Sequence, residues 1–234
     1  MEDKILDLIR EENPENPLQY VRDLVKDFAL EKVSEQITTC SDCDICHCGK
    51  TLPHGNTNAS IMFIGSMPES ELENEIKPAL FDGESSIILD KVIDDILMIN
   101  RDELFFANAV NCWPYKQTGP DKTHRVPTKQ ELSNCYLFIN HLIEVVQPLA
   151  IVVLGAAALN AFEPTMAITK DRGTWFNIKG IPAVATFSPD YFIKVAGKKD
   201  EELVEQQKFE FIDDINMVIN YVKNKYPNIE ITKE

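Results

Sequence analysis

The sequence predicts an α/β protein with three layers, α/β/α, built around a four-stranded and mainly parallel central sheet. Two observations predict this class. Short continuous apolar runs alternate with longer segments whose apolar residues recur at spacings of three and four. These are the patterns of strands buried on both faces and of amphipathic helices. The 234 residues also suffice for a sizeable core, and 44% hydrophobic residues is ordinary for a globular protein.

Four apolar runs are predicted as the strands of the sheet. They lie at residues 60–66, 103–110, 149–155 and 181–188. In open parallel sheets, ligands bind outside the carboxyl ends of the strands. The residues predicted to line this rim are therefore those at 65–68, 108–114, 155 and 188–191.

The segments around these strands are predicted as helices. Thr128 and Glu131 form a capping box, the signature of a helix start, and they open a helix over residues 128–146. Helical spacing also covers residues 3–10, 18–37, 85–99 and 200–226. The stretch between residue 110 and residue 128 is predicted as a long polar loop.

The predicted domain organisation has three parts. Residues 1–38 form an N-terminal helical extension, residues 39–226 form the α/β domain, and residues 227–234 form a tail. The charged N-terminus is unlike a signal peptide, and no apolar run approaches the roughly 20 residues that span a bilayer. A cytoplasmic protein without a membrane partner is expected. In that compartment disulfides are rare and clustered cysteines more often bind metal.

The charge of the chain argues against broad electrostatic adhesion. The formal net charge is −15, which disfavours non-specific binding to DNA or anionic membranes. The distribution is uneven, however. Residues 112–129 hold four bases against one acid, and residues 164–199 hold six against two. A local basic rim that faces phosphate therefore remains compatible with the sequence.

The stretch "CSDCDICHCG" places four of the six cysteines within nine residues. As a local site, these thiols predict bound zinc, with His47 as a spare ligand. As half of a wider site, a Cys-x-x-Cys doublet joined by the distant Cys112 and Cys135 suits a [4Fe–4S] cluster, which takes four thiolates. Both readings follow from the residues alone.

Across residues 38–225 the chain resembles the family 4 uracil-DNA glycosylases, the iron–sulfur branch of their superfamily. The family pattern is a Cys-x-x-Cys pair followed by short motifs in a fixed order. The segments that match it are "CSDC", "GSMPE", "LFDG", "ANAVNCWP", "IVVLG", "RG-x-W" and "SPDYF". Order and spacing agree nearly throughout, so the resemblance predicts the fold as well as DNA as the partner.

The resemblance implies a [4Fe–4S] cofactor and a set of ligands. The cluster would be held by Cys40, Cys43, Cys112 and Cys135, which leaves Cys46 and Cys48 free. Two alternatives stay open. One of these two free cysteines replaces a member of the set, or the thiols bind zinc.

The resemblance also implies which residues bind the substrate. Phe81 would stack on a base flipped out of the DNA, or else belong to the core, and Asn108 would read the edge of the base, or else cap a turn. Phe192 is either an apolar wedge in the DNA or a core residue. The remaining predicted contacts are with Gly65 and Pro68 in the first loop, Arg125, and Lys194 near the DNA backbone.

Two catalytic positions depart from the family pattern. Ser66 stands where the family carries an acid in the first motif, and Ser188 stands where it carries a histidine. A hydroxyl supplies neither the charge of a carboxylate nor the reach of an imidazole. Because losing one optimised polar group typically costs about 10²–10³ in rate, the two substitutions predict weak or altered chemistry.

The loop between Cys112 and Cys135 points to another relative. It is longer than in typical family 4 members and contains "THRVP", in which His124 precedes Arg125. It resembles the loop of the X-type relatives, which capture uracil-DNA covalently through a loop histidine. The basic "KRRIH" of those proteins is only "DKTH" here, and the ordinary family 4 loop carries an Asn at the histidine position.

Three functional hypotheses follow. The first is an iron–sulfur DNA glycosylase that excises or covalently captures uracil or another altered base. The second is a catalytically inactive module of the same fold, which acts through a protein partner in replication or phage–host conflict. The third is a zinc-bound interaction domain.

Overall fold

The computed structural model describes residues 16–47, 49–72, 75–80, 83–198 and 200–233. The helix predicted at residues 3–10 lies outside the described residues. So do Cys48 and the predicted stacking residue Phe81.

The centre of the molecule is the predicted parallel sheet. Its strands are β2 His54–Gly55, β3 Ile61–Gly65, β5 Leu104–Asn108, β8 Ala150–Leu154, β9 Trp175–Ile178 and β10 Ile181–Thr186, and outside it lie β1 Lys50–Leu52, β4 Ile76–Pro78, β6 Tyr115–Thr118 and β7 Asp121–His124. The strand order is β2-β5-β3-β8-β10-β9, and the four inner strands run parallel. These four are the predicted strands, so the fold class is confirmed. Short antiparallel strands extend both edges.

Seven α-helices are found among the described residues. They are α1 Pro17–Thr39, α2 Ser86–Asp90, α3 Lys129–Val146, α4 Ala156–Phe162, α5 Ile168–Asp171, α6 Pro189–Val195 and α7 Glu201–Lys225. Helix α2 continues as a π-helical turn over Lys91–Ile96, and a 3-10 turn covers Arg101–Glu103. None of the helices in the described ranges is long and apolar enough to cross a bilayer.

The capping box at the start of α3 is confirmed. The Thr128 hydroxyl accepts the backbone N–H of Glu131 at 3.2 Å, and the Glu131 carboxylate accepts the backbone N–H of Thr128 at 2.7 Å. Two N–H groups that the helix cannot satisfy internally are thereby paired. The capped helix packs on α1, α4 and β5.

One hydrophobic core joins the sheet to segments at both ends of the chain. Strands β3, β5 and β8 are buried along their whole length, and β10 is buried over its last four residues, as their continuous apolar sequences predict. Val33 and Ile37 of α1 belong to the same core, and so does Ile231 near the C-terminus. The backbone N–H of Asn100 donates to the carbonyl of Ile231 at 2.9 Å. The segments predicted as extension and tail therefore pack against the α/β domain.

The predicted polar loop contains a β-hairpin that the sequence did not reveal. Strands β6 and β7 pair antiparallel, with Tyr115 opposite His124 and Thr118 opposite Asp121. Gly119 begins the two-residue turn with a φ of +62°, which an L side chain rarely adopts. The hairpin is largely exposed and polar, so it lacks the alternation of apolar residues by which strands are recognised. Its second strand ends at His124, which carries that side chain back towards the sheet.

Candidate active site

A cavity of about 480 Å³ opens at the carboxyl ends of the parallel strands. Ser66 follows β3, Gly155 follows β8, and Ser188 follows β10, so strand order alone brings them together. The main lining residues are Ser66, Pro68, Glu69, Leu80, Ser85, His124, Gly155, Phe187, Ser188, Asp190, Tyr191 and Lys194. Of the strand-end rim predicted from the sequence, residues 66–68, 155 and 188–191 line the cavity, whereas residues 65 and 108–114 do not.

Ser66, Gly155 and Ser188 form the floor of the cavity. Gly155 has a φ of +90°, and a Cβ added to it would lie 2.8 Å from Ser66 Oγ and 2.9 Å from Ser188 Cβ. No side chain fits between the two serines. The Ser66 hydroxyl donates to the carbonyl of Leu154 at 3.0 Å and accepts the N–H of Ala158 at 3.2 Å. It therefore braces β8 against the first turn of α4.

Asn108 ends β5 and is almost completely buried. Its Nδ2 donates to the hydroxyl of Thr51 at 3.0 Å. Its Oδ1 has no hydrogen-bond partner among the described residues and packs against Gly65, which has no room for a Cβ. A buried unpaired oxygen typically costs about 1–3 kcal/mol. Asn108 itself is not among the residues that line the cavity.

His124 lies on the cavity wall, half-buried at the end of β7. The indole N–H of Trp113 donates to His124 Nδ1 at 3.0 Å, and the two rings are nearly parallel, with their centroids 6.3 Å apart. Burial lowers the pKa of His124, and the ammonium of Lys194 lowers it further, while Asp190 opposes the change. The imidazole is therefore predominantly neutral at neutral pH.

The predicted DNA-contacting cations are paired with carboxylates. Lys194 pairs with Asp190 one turn earlier on α6 and lies at the cavity wall. Arg125 is turned away from the cavity lining, and its two terminal nitrogens donate to Glu131 at 2.7 and 2.6 Å. The basic segment at residues 112–129 therefore presents less unpaired positive charge than its count of four bases against one acid indicates.

The wall formed by β10 and α6 contains two aromatic residues, of which Tyr191 lies in the predicted rim and Phe187 was not predicted. Phe187 stacks on Tyr191 with ring centroids 5.1 Å apart and an interplanar angle of 12°. Phe192, one candidate wedge, is instead buried in the main core. Phe187 directly precedes the "SPDYF" motif, and Tyr191 lies within it.

Behind this wall, Arg172 of the "RG-x-W" motif anchors the aromatic ring. Its guanidinium carbon lies 5.5 Å from the centre of the Phe187 ring. Its Nε donates to the buried carboxylate of Asp214 at 3.0 Å, and Asp214 also accepts from the hydroxyl of Thr186 at 2.6 Å. Arg172, held by Asp214, therefore supports the Phe187 ring of the cavity wall.

Three of the four predicted cluster ligands share one small apolar cluster, and the fourth, Cys40, packs against the main core. Cys112 and Cys135 are buried with Ile45 and Val110 in a small apolar cluster, against which Cys43 and Cys46 pack. Burial raises the pKa of Cys112 to about 12 and that of Cys135 to about 11. Negative charge on Cys40 or Cys43 would raise both pKa values further. Cys40, Cys43, Cys112 and Cys135 are thus close enough to interact electrostatically.

Within the part of the chain that the structure describes, no group of three His, Cys, Asp or Glu side chains is arranged to hold a metal ion. A [4Fe–4S] cluster takes four thiolates, each on its own iron, so four cysteines are the donor set that it would require. A buried cation also lies near these sulfurs. Lys50 donates to the carbonyls of Thr38 and Cys40 at 2.8 and 2.7 Å, and its charge lowers the pKa of Cys112.

Comparison with known proteins defines the class to which this fold and cavity belong. The family model of the uracil DNA glycosylase superfamily matches residues 52–210. The chain therefore belongs to this superfamily of DNA glycosylases, enzymes that hydrolyse N-glycosyl bonds.

Curated relatives place the chain more closely. A type-4 uracil-DNA glycosylase of Thermotoga maritima is 28% identical over 202 residues, which cover 84% of this chain and 96% of the relative. One from Saccharolobus solfataricus is 30% identical over 179 residues, covering 68% and 78%. A type-5 uracil-DNA glycosylase of Pyrobaculum aerophilum is 26% identical over 153 residues, covering 58% and 64%. The resemblance to family 4 is confirmed, and the chain is a divergent relative of that branch.

Proposed function

We propose that this chain excises uracil or another altered base from DNA by hydrolysing its N-glycosyl bond. The observation that carries the proposal is the cavity at the strand ends, which His124, Phe187 and Ser188 line in a member of a DNA glycosylase superfamily. A base must leave the DNA stack to enter such a cavity, so base flipping is part of the proposal.

The residues around the cavity supply separate functions. Phe187 offers an aromatic face for stacking, a role that Phe81 shares as a prediction. The orphan Oδ1 of Asn108 accepts an N–H from the edge of the base. Ser188 and His124 offer polar groups to the leaving base or to the attacking water. Ser66 shapes the floor, because both of its hydrogen bonds are to the backbone.

Part of the proposal is a [4Fe–4S] cluster held by Cys40, Cys43, Cys112 and Cys135. Two observations support it. The four thiols are close enough to interact electrostatically, and the chain is similar to type-4 uracil-DNA glycosylases. The cluster would fasten the segment after α1, the segment after β5 and the start of α3 together. Replacement of one ligand by Cys46 or Cys48, and zinc binding, remain the alternatives.

The cofactor is tested by iron and sulfide analysis of anaerobically purified protein, together with its visible spectrum. We expect iron, acid-labile sulfide and broad absorption near 400 nm. Cys135→Ser should lose all three signals, whereas Cys46→Ser should keep them. Equal loss in the two variants would assign Cys46 to the ligand set, and zinc without iron would refute the cluster.

A catalytically inactive binding module is the second candidate. It is favoured by the engagement of the Ser66 hydroxyl in backbone hydrogen bonds and by the ion pairing of Lys194 and Arg125. This candidate requires a protein partner for recruitment. A cytoplasmic location is compatible with both candidates.

One assay separates the two. The purified protein is incubated with a uracil-containing oligonucleotide and then run on a denaturing gel, with and without cleavage at abasic sites. We expect strand cleavage only after the abasic-site treatment, and none with a thymine oligonucleotide. A band of retarded mobility would indicate covalent capture. Intact DNA in every lane, from protein that retains its fold, would support the inactive module.

A further inference from the structure

We propose that His124 acts on the departing base as a neutral hydrogen-bond donor through Nε2–H, and that Trp113 is the positioning residue that holds it in this tautomer. The inference rests on the proposed function and deepens it. It makes His124, at the end of the β6–β7 hairpin, the donor to the negative charge on the departing base. At the strand end where the resemblance predicts a histidine, this chain has Ser188. It also distinguishes hydrolysis from covalent capture.

The tautomer follows from the chemistry of indole. Trp113 Nε1 carries a hydrogen and has no acceptor capacity. Its 3.0 Å contact with His124 Nδ1 therefore requires a lone pair on that nitrogen. In a neutral imidazole the proton must then be on Nε2, because one ring nitrogen donates and the other accepts. The ring lines the cavity, and the proposal assigns its Nε2–H to the bound base.

The surroundings of the ring keep it neutral. A second proton would place a His124 N–H against the N–H of Trp113. Lys194 on α6 and Arg125 after β7 also disfavour the charged ring, whereas Asp190 on α6 favours it. Burial adds to the effect of the cations, and the net result is a lowered pKa.

A neutral donor suits the charge that develops during base release. The bond between C1′ of the sugar and the base nitrogen breaks, and its electron pair stays with the base. The negative charge spreads onto a carbonyl oxygen of the base, where a fixed N–H stabilises it. A water oxygen then bonds to C1′ and loses its proton to the base or to solvent. His124 gains and loses no proton in this sequence.

The same tautomer disfavours covalent capture. An attack on C1′ requires a lone pair on a ring nitrogen. The lone pair of Nδ1 accepts the N–H of Trp113, and Nε2 carries the hydrogen. Asp190, a carboxylate that faces the ring, already pairs with Lys194. A nucleophilic His124 would therefore need another base to remove the proton from Nε2.

Nitrogen NMR of ¹⁵N-histidine-labelled protein tests the tautomer without DNA. We expect the Nε2–H form for His124 at pH 7.5, with its resonances assigned through His124→Gln. Trp113→Phe should shift His124 towards a mixture of tautomers and raise its pKa. Trp175→Phe, which alters the tryptophan on β9, should leave both unchanged. An Nδ1–H or protonated ring in the unaltered protein would overturn the proposal.

Excision kinetics test the role of the donor. We expect His124→Ala to slow base release by about 10²–10³, while His124→Gln, which keeps a neutral N–H, retains a rate within about tenfold. His141→Gln, on α3, is the matched control and should be unaffected. A denaturation-resistant DNA adduct that His124→Ala abolishes would make His124 a nucleophile and refute the inference. Absence of any base release by the unaltered protein would instead refute the proposed function, whatever tautomer NMR finds.

Discussion

The hydroxyl of Ser66 accepts the backbone N–H of Ala158 at 3.2 Å and so joins the loop after β3 to the first turn of α4. The same hydroxyl donates to the carbonyl of Leu154 at 3.0 Å. Ser66 therefore serves as a structural brace at the position where the resemblance predicts an acid. A Cβ on Gly155 would meet both Ser66 and Ser188, so these three residues pack closely together.

Ser66→Ala should destabilise the protein while base release changes little. The substitution removes both hydrogen bonds of the buried hydroxyl, and leaving a buried partner unsatisfied costs about 1–3 kcal/mol. Chemical denaturation measures this loss, and the uracil gel assay measures the rate. Ser133→Ala, at an exposed position on α3 outside the cavity lining, is the control. If the rate of base release fell by about 10² or more while stability was unchanged, Ser66 would take part in the chemistry and would not be a structural brace.

Asn108→Ala should show the opposite behaviour. Removing Oδ1 deletes an unpaired buried acceptor, which offsets the lost hydrogen bond to Thr51. We therefore expect a change in unfolding free energy within about 1 kcal/mol, although Asn108 is only 2% exposed. The rate of base release should fall by about 10²–10³, since the base loses the amide oxygen that accepts its N–H. A large stability loss with normal excision would make Asn108 a structural cap.

The central sheet could be predicted because strands that are buried on both faces consist of continuous apolar residues, and this pattern is visible in the sequence. The inner strands β3, β5, β8 and β10 are continuous apolar runs, and the end of each strand fixed where the cavity must lie. The capping box at Thr128 worked for a related reason, since it is a local contact between residues three apart.

The parts that were missed depend on contacts between distant residues. The β6–β7 hairpin consists of exposed polar residues, so no apolar pattern marks it. Trp113 lies within the "ANAVNCWP" segment. Its hydrogen bond to His124 forms only because the hairpin brings together two residues eleven positions apart. Likewise, the ion pair of Lys194 with Asp190 was absent from a count of basic residues.

The Arg125–Glu131 pair predicts a pH-dependent contribution to stability. Burial raises the pKa of Glu131, but hydrogen bonds from Arg125 and Thr128 outweigh it and lower the pKa overall. A carboxyl whose pKa is lowered by folding stabilises the protein above its unfolded pKa of about 4.3. That contribution is lost as the pH falls through the folded pKa.

Glu131→Gln should therefore lower the free energy of unfolding by about 1–2 kcal/mol at pH 7. Below about pH 4 the difference from the unaltered protein should shrink. Urea denaturation at both pH values measures the effect. Glu144→Gln on the same helix removes an exposed pair with Lys179 and serves as the control. A difference that is constant with pH would assign the role of Glu131 to packing alone.

The ion pair at the cavity mouth predicts how DNA affinity responds to salt. Asp190 neutralises Lys194, which lies at the cavity wall with more than half of its side chain exposed. Asp190→Asn should release this cation to contact a phosphate. The slope of log affinity against log salt should then steepen by about 0.7 for a single strand, and binding at low salt should tighten a few-fold.

A thymine oligonucleotide is the right probe for this measurement, because it offers phosphates without a base to excise. Fluorescence anisotropy over a salt series gives the slope. Asp213→Asn makes the same change in net charge at an exposed position on α7, away from the cavity lining. If Lys194 is the released contact, only Asp190→Asn steepens the slope, and adding Lys194→Met to it reverses the gain. Equal effects of the two aspartate substitutions would mean that affinity follows net charge rather than this cation.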